Sequence, residues 1–110
     1  MQKSSLYKGL LEPIVLQLLK ENGRMYGFEI TQKAKELSQN ELKITEGALY
    51  PLLHKLEAEG VLEASMENIG NRVRKYYSLT KKGKKQTAGA FKEVQSFVET
   101  LQILFKPKTV

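Results

Sequence analysis

The hydrophobic period of this chain changes twice, and the two changes divide it into a helical body, a strand pair and a long last helix. Up to Gly60, apolar residues recur every three or four positions, the spacing that gathers them on one face of an α-helix. From Val61 the pattern alternates, with Leu62, Ala64 and Met66 on one side of a strand and Glu63, Ser65 and Glu67 on the other. Beyond Leu79 the helical spacing returns through Phe91, Val94, Phe97, Val98, Leu101, Leu104 and Phe105. A length of 110 residues leaves room for one small core, so the pieces must share it.

Local signals bound each piece. Leu10, Leu11, Ile14, Val15, Leu18 and Leu19 make one wide apolar face, which predicts a buried first helix ending near Asn22-Gly23. Pro13 leaves two starts open: a helix beginning around Glu12 with Pro13 in its first turn, or a longer one from about Ser4 kinked opposite Gly9. Phe28, Ile30, Ala34 and Leu37 pattern a second helix over 26–37, and Ser38-Gln39-Asn40 supplies polar turn residues after it. A third helix is expected to start at Thr45, a good N-cap followed by Glu46 near the positive helix end, and to stop at Gly60. Leu49, Leu52, Leu53 and Leu56 form its buried face; Gly47, Tyr50, Pro51 and His54 lie on the other. Asn68-Ile69-Gly70-Asn71 reads as a turn and 73–79 as the returning strand, so 61–79 is expected to be a β-hairpin. Thr80 caps a last helix over 80–105, and 106–110 is expected to fray.

Charge narrows the partners. Eighteen Lys and Arg against twelve Glu and no Asp give a net charge of +6, which favours a polyanion such as nucleic acid or an acidic membrane surface. The apolar stretch 10–19 is broken by Glu12, Pro13 and Gln17 and is too short to span a bilayer or to form a secretory signal, so no membrane partner and a cytoplasmic location are expected. With no cysteine, disulfides, thiolate metal sites and cysteine nucleophiles are excluded. The single histidine and the lack of aspartate leave no triad, dyad or metal cluster at recognisable spacing, so neither an enzyme nor a cofactor is expected.

Three helices followed by a basic hairpin is the order of a winged helix-turn-helix, in which the third helix enters a major groove and the hairpin tracks the backbone. Arg72, Arg74, Lys75, Lys81, Lys82, Lys84 and Lys85 fall in one segment without an acidic residue. Such cations gain affinity by releasing counterions, and Arg can fork onto a phosphate. The alternative for Lys81 to Lys85 is a solvated helix face; Arg72 and Arg74, beside the Gly70-Asn71 turn, are the better phosphate candidates. On the third helix, Gly47 and Ala48 keep the N-terminus slim, and Gly47 tolerates the distortion that Pro51 imposes one turn later. Thr45 is a candidate phosphate contact or simply a cap. Tyr50 either reaches the sugar-phosphate or sits half-buried, and His54 and Lys55 lie further along the exposed side. Tyr26, Tyr76 and Tyr77 are expected to tie helices and wing together.

Four stretches then match one family. Leu10-Leu11-Glu12-Pro13, Tyr26-Gly27-Phe28-Glu29-Ile30, Glu46-Gly47-Ala48-Leu49-Tyr50-Pro51 and Arg74-Lys75-Tyr76-Tyr77-Ser78-Leu79-Thr80 resemble motifs of the PadR family of transcriptional regulators, in order and along nearly the whole chain. The resemblance implies a mainly α winged helix-turn-helix with a small β-hairpin and a C-terminal dimerisation helix, usually repressing transcription and often released by a small-molecule inducer. The chain is similar to the short form of the family. It has no tryptophan, so the tryptophan-lined drug pocket of some members does not carry over.

The expected organisation is a DNA-binding unit over 1–79 and a dimerisation helix and tail over 80–110. The expected duplex-DNA contacts are Thr45, Gly47, Ala48, Tyr50, Pro51, His54, Lys55, Asn71, Arg72, Arg74 and Lys75; the expected homodimer contacts are Phe91, Val94, Val98, Leu101 and Phe105. The stripe on the last helix is too long for the small body to bury, which is the reason for expecting a second copy. A small-molecule effector would enter near the seam of the first and last helices, where Leu6, Leu10, Phe91 and Phe97 converge. The competing reading is a winged-helix module that binds a protein instead of DNA. RNA binding is a weaker option, because the exposed aromatic ladder of single-strand binders is not evident.

Overall fold

Each change of period becomes a change of element in the computed structural model, which describes residues 6–106. A 3-10 turn (Lys8–Leu10) leads into α1 (Leu11–Asn22), followed by β1 (Arg24–Tyr26), α2 (Gly27–Leu37), α3 (Glu46–Ala58), β2 (Leu62–Ile69), β3 (Arg72–Leu79) and α4 (Lys81–Leu104). The strands form one antiparallel sheet in the order β1-β3-β2.

The backbone breaks regular helix at Leu10 (φ −107°, ψ 2°), and α1 starts at the next residue with Pro13 in its first turn. There the missing N–H of proline is one that the helix would leave unpaired anyway. Of the longer helix considered above, Ser4 lies outside the described residues. Gly23 ends α1 at φ +80° and donates its N–H to the Leu19 carbonyl at 2.9 Å.

Strand β1 was not anticipated, and the second helix begins one residue later than expected, with Tyr26 as its N-cap. Three residues are too few to show a period. Arg24-Met25-Tyr26 becomes a strand because β3 offers it a paired edge, Met25 facing Tyr77 across the ladder. The hairpin turn is also tighter than the four residues expected. Ile69 pairs with Arg72, which leaves only Gly70 and Asn71 in the turn, and Gly70 takes the left-handed conformation (φ +62°) that short hairpin turns demand.

The core is built from Val15, Leu16 and Leu19 of α1, Ile30 of α2, Leu49, Leu53 and Leu56 of α3, and Val61, Leu62 and Tyr77, each at most 2% exposed. Two residues expected in the apolar pattern of α2 are not in it: Phe28 is 59% and Leu37 66% exposed. The buried stripe of this helix is Gly27, Ile30 and Ala34; Phe28 is rotated off that stripe, and Leu37 is the helix's last residue.

Both remaining helices carry the caps that their sequences signal. Thr45 accepts from Ala48 N at 3.2 Å, and Thr80 accepts from Gly83 N at 3.0 Å. Only Gly83 and Thr87 of α4 are buried, both near its start. The far half extends away from the body, with Val98 44%, Ile103 75%, Leu104 70% and Phe105 78% exposed. Lys106 follows the helix, and the rest of the expected tail, 107–110, lies outside the described residues.

Candidate nucleic-acid interface

Leu49, Leu53 and Leu56 fasten α3 to the core, so Gly47, Pro51 and His54 are carried on the opposite, exposed side. The two flanks of that stripe are engaged differently. Tyr50 lies against the start of α2, so close that a Cβ on Gly27 would stand 2.5 Å from its hydroxyl, yet it remains 37% exposed. It therefore both packs and presents a polar tip, and its ring is 6.5 Å from that of His54. On the other flank Ala48 is exposed but lines a cleft of about 290 Å³ with Tyr7, Lys8 and Leu11, and the Lys55 ammonium is 3.4 Å from a Glu12 carboxylate oxygen.

Alternation along β3 sorts its cations. Tyr77 and Leu79 face the core, so Arg72, Arg74 and Tyr76 share the outer face with Arg24 and Tyr26 of β1. Arg74 lies 4.2 Å over the Tyr26 ring, Tyr26 meets Tyr76 edge to face at 5.5 Å, and Arg24 lies 4.1 Å over Tyr76 while pairing with Glu67. A hydrogen bond with Tyr76 raises the Arg74 pKa further, so this guanidinium stays charged in the stack. Lys75 points the other way and meets a Glu57 oxygen of α3 at 3.0 Å; that hydrogen bond raises its pKa and ties the wing to the last turns of α3. Asn71 and Arg72 are exposed at the hairpin tip.

Between α3 and the wing the surface sinks into a cleft of about 280 Å³ lined by Tyr26, Gly27, Tyr50, His54, Arg74 and Lys75, together with Val73 and Tyr77. Four of the expected DNA contacts, Tyr50, His54, Arg74 and Lys75, thus converge on one opening next to the first residue of α2. Thr45 and Ala48, at the start of α3, do not line this opening, and Lys81 to Lys85 belong to α4, where Lys82 donates to the Glu59 carbonyl at 2.7 Å. Tyr26 ties helix and wing as expected, whereas sequence reasoning missed Arg24 and the carboxylates Glu12 and Glu57 that hold Lys55 and Lys75. For Arg24 the only signal was its alternation with Met25 and Tyr26, which is visible once β1 is paired.

A separate pocket of about 220 Å³ between α1 and α4 is lined by Leu10, Pro13, Ile14, Gln17, Phe91 and Val94. Leu10 and Phe91 converge there as expected, whereas Leu6 and Phe97 are not part of its lining. Gln17 donates to Glu21 at 2.8 Å, and its side-chain oxygen is buried without a partner among the described residues. Among the described residues, no helix is long and apolar enough to cross a membrane, and no three metal-binding side chains cluster.

Comparison with known proteins places this geometry. The profile of the Transcriptional regulator PadR-like family matches residues 15–89. An uncharacterized protein of Lysinibacillus sphaericus is 32% identical over 107 residues, which is 96% of this chain and 97% of that protein. A transcriptional regulator from Clostridium thermocellum superposes with a TM-score of 0.84 at 26% identity, over 94% of this chain and all of that one (100%). The PadR protein of Bacillus subtilis, in a structure with operator DNA, superposes with a TM-score of 0.64 at 25% identity, over 91% of this chain and 49% of that one.

Proposed function

The chain belongs to the PadR-like family of transcriptional regulators, and from that premise we propose that it is a sequence-specific duplex-DNA-binding repressor of the cytoplasm. It acts as a homodimer on an inverted-repeat operator and is released by a small-molecule effector. The observation that carries the DNA reading is the convergence of Tyr50, His54, Arg74 and Lys75 on the cleft between α3 and the wing.

An α-helix with its side chains is about 10–12 Å across, and the major groove is about 12 Å wide. The exposed stripe of α3 fits that groove, with Gly47 and Ala48 allowing close approach and Pro51 and His54 facing base edges. Thr45, Tyr50 and Lys55 flank the stripe and serve the backbone on either side. Arg74, held in place by the Tyr26 ring, is preorganised for a phosphate, while Asn71 and Arg72 reach the next stretch of backbone from the wing tip. Lys75 braces the wing against Glu57 and adds charge to the same cleft. Such phosphate contacts fix register and position; sequence is read by the helix.

Residues 1–79 form the reading head and 80–110 the dimerisation helix and tail. Phe91, Val94, Val98, Leu101 and Phe105 supply the dimer contacts, because the far half of α4 presents its apolar side to solvent in the single chain. The pocket lined by Phe91, Val94, Ile14 and Pro13 fits a small apolar effector. A ligand there weakens DNA binding by preferring one separation of the two heads.

Selection of bound sequences from a random duplex pool tests this reading. Recovery of one enriched motif, bound with strong salt dependence, is the expected result. Failure to retain any duplex at low salt overturns it and leaves the protein-interaction module.

A further inference from the structure

The three residues that follow α3, 59–61, lead into β2, yet they are fastened to the start of α4, which lies beyond the whole hairpin in sequence. The carbonyls of Glu59, Gly60 and Val61, which follow the end of α3, all accept from the first turn of α4 or its cap. Lys82 donates to Glu59 at 2.7 Å, and the Thr80 hydroxyl approaches Gly60 O at 2.6 Å and Val61 O at 3.1 Å. Gly83 lies so close that a Cβ there would collide with the Val61 carbonyl. One tie of this kind is a pivot: it holds two helices together but leaves them free to swing about the joint.

A second tie lies away from the pivot. Glu12, in the first turn of α1, has one carboxylate oxygen 3.4 Å from the Lys55 ammonium of α3 and the other 3.3 Å from the Gln86 amide of α4. Each oxygen serves a different helix, so a change in the angle between α3 and α4 must break at least one of the two contacts. The pair with Lys55 is largely exposed and weak as a source of stability. Its leverage is geometric, because two separated ties fix an angle that one cannot.

We propose that Glu12 is a positioning residue for operator reading: it locks the recognition helix to the dimerisation helix, and so fixes the half-site spacing that the dimer accepts. This rests on the DNA-binding dimer proposed above. If α4 carries the two-fold contact, its angle to α3 sets the separation of the two reading heads. The contacts that α3 makes within one half-site do not depend on that angle.

The test compares the wild-type protein with Glu12→Ala and Gln86→Ala on three duplexes: the selected operator, the same operator with its centre lengthened by two base pairs, and an isolated half-site. Gln86→Ala leaves both the net charge and the Lys55–Glu12 pair in place, so it isolates the link to α4. The wild type is expected to discriminate against the lengthened operator. In each variant that discrimination should fall by about fivefold or more, the size of a typical coupling between sites, with the melting temperature unchanged. Half-site affinity should be unchanged in Gln86→Ala, whereas Glu12→Ala, which frees the Lys55 charge for the phosphate backbone, should bind all three duplexes more tightly. Folded variants that retain the full wild-type discrimination overturn the proposal, and if Glu12→Ala does not fold, Gln86→Ala decides alone. A wild type that binds none of the three duplexes overturns the underlying function, a result distinct from loss of this one.

Discussion

Tyr50 of α3 occupies the space that a side chain on Gly27 would fill: its hydroxyl, Cζ and Cε1 lie 2.5, 2.8 and 2.9 Å from where a Cβ would be. The seat of α3 on α2 therefore depends on a missing methyl group. Gly27→Ala should force the ring outward and destabilise the protein by about 1–3 kcal/mol, the usual cost of overpacking. In a Tyr50→Ala background the same change should cost little. Urea unfolding of the four proteins in this cycle measures the coupling, and additive effects would show that the two residues do not compete for space.

From neutral pH upward, the contribution of Lys75 to stability should follow the titration of its own ammonium group. Its hydrogen bond to Glu57 raises the folded-state pKa. The contribution is therefore complete below the ordinary lysine value of about 10.4 and is lost as pH rises through the raised one. Both side chains are 36% exposed, so screening holds the effect to less than about 1 kcal/mol. The stability difference between wild type and Lys75→Met should be constant from neutral pH to pH 9 and shrink above the ordinary lysine value. A difference that vanishes already near neutrality would contradict the pairing.

Wing and recognition helix should fail in different ways when altered. Arg72→Ala with Arg74→Ala should weaken binding to every duplex and make the salt slope shallower by about one unit per lost phosphate contact. Replacing Ala48 or His54 should shift sequence preference at particular positions instead. Salt titrations on two unrelated duplexes separate these outcomes, and an unchanged slope in the double arginine variant would remove both residues from the phosphate contacts.

The exposed half of α4 should hold two copies together. Val98 is 44% exposed in the single chain, and Leu101 is half-buried one turn on. Val98→Glu with Leu101→Glu places charges where the two-fold seam is proposed, so sedimentation should show a wild-type dimer and a folded monomeric variant. An unchanged mass in a folded variant would move the interface elsewhere.

Much of this architecture was legible because each element carries its own local signal. Thr45 and Thr80 cap the helices they precede, Gly60 and Gly70 stand at positive φ where helix and hairpin turn, and the alternation after Val61 becomes strand. What escaped was set by tertiary neighbours. Arg24 to Tyr26 form a strand only because β3 supplies hydrogen-bond partners, and Phe28 is exposed although its residue type favours burial. At the interface, the sequence shows that Lys55 and Lys75 are basic, but not that Glu12 and Glu57, from distant positions, stand against them. Nor does it reveal that Arg74 is stacked on Tyr26, because a stack across two strands depends on the register of β1.

Footprinting on an operator recovered from the random pool, with the protein-to-duplex ratio measured on the same complex, tests the central claim most directly. A dimer related by a two-fold axis through α4 must read two equal half-sites on one face of the duplex. The predicted result is protection of an inverted repeat whose half-site centres lie about 10 or 20 base pairs apart, one or two helical turns, with two protomers bound. Protection of a single asymmetric half-site by one protomer would contradict the account.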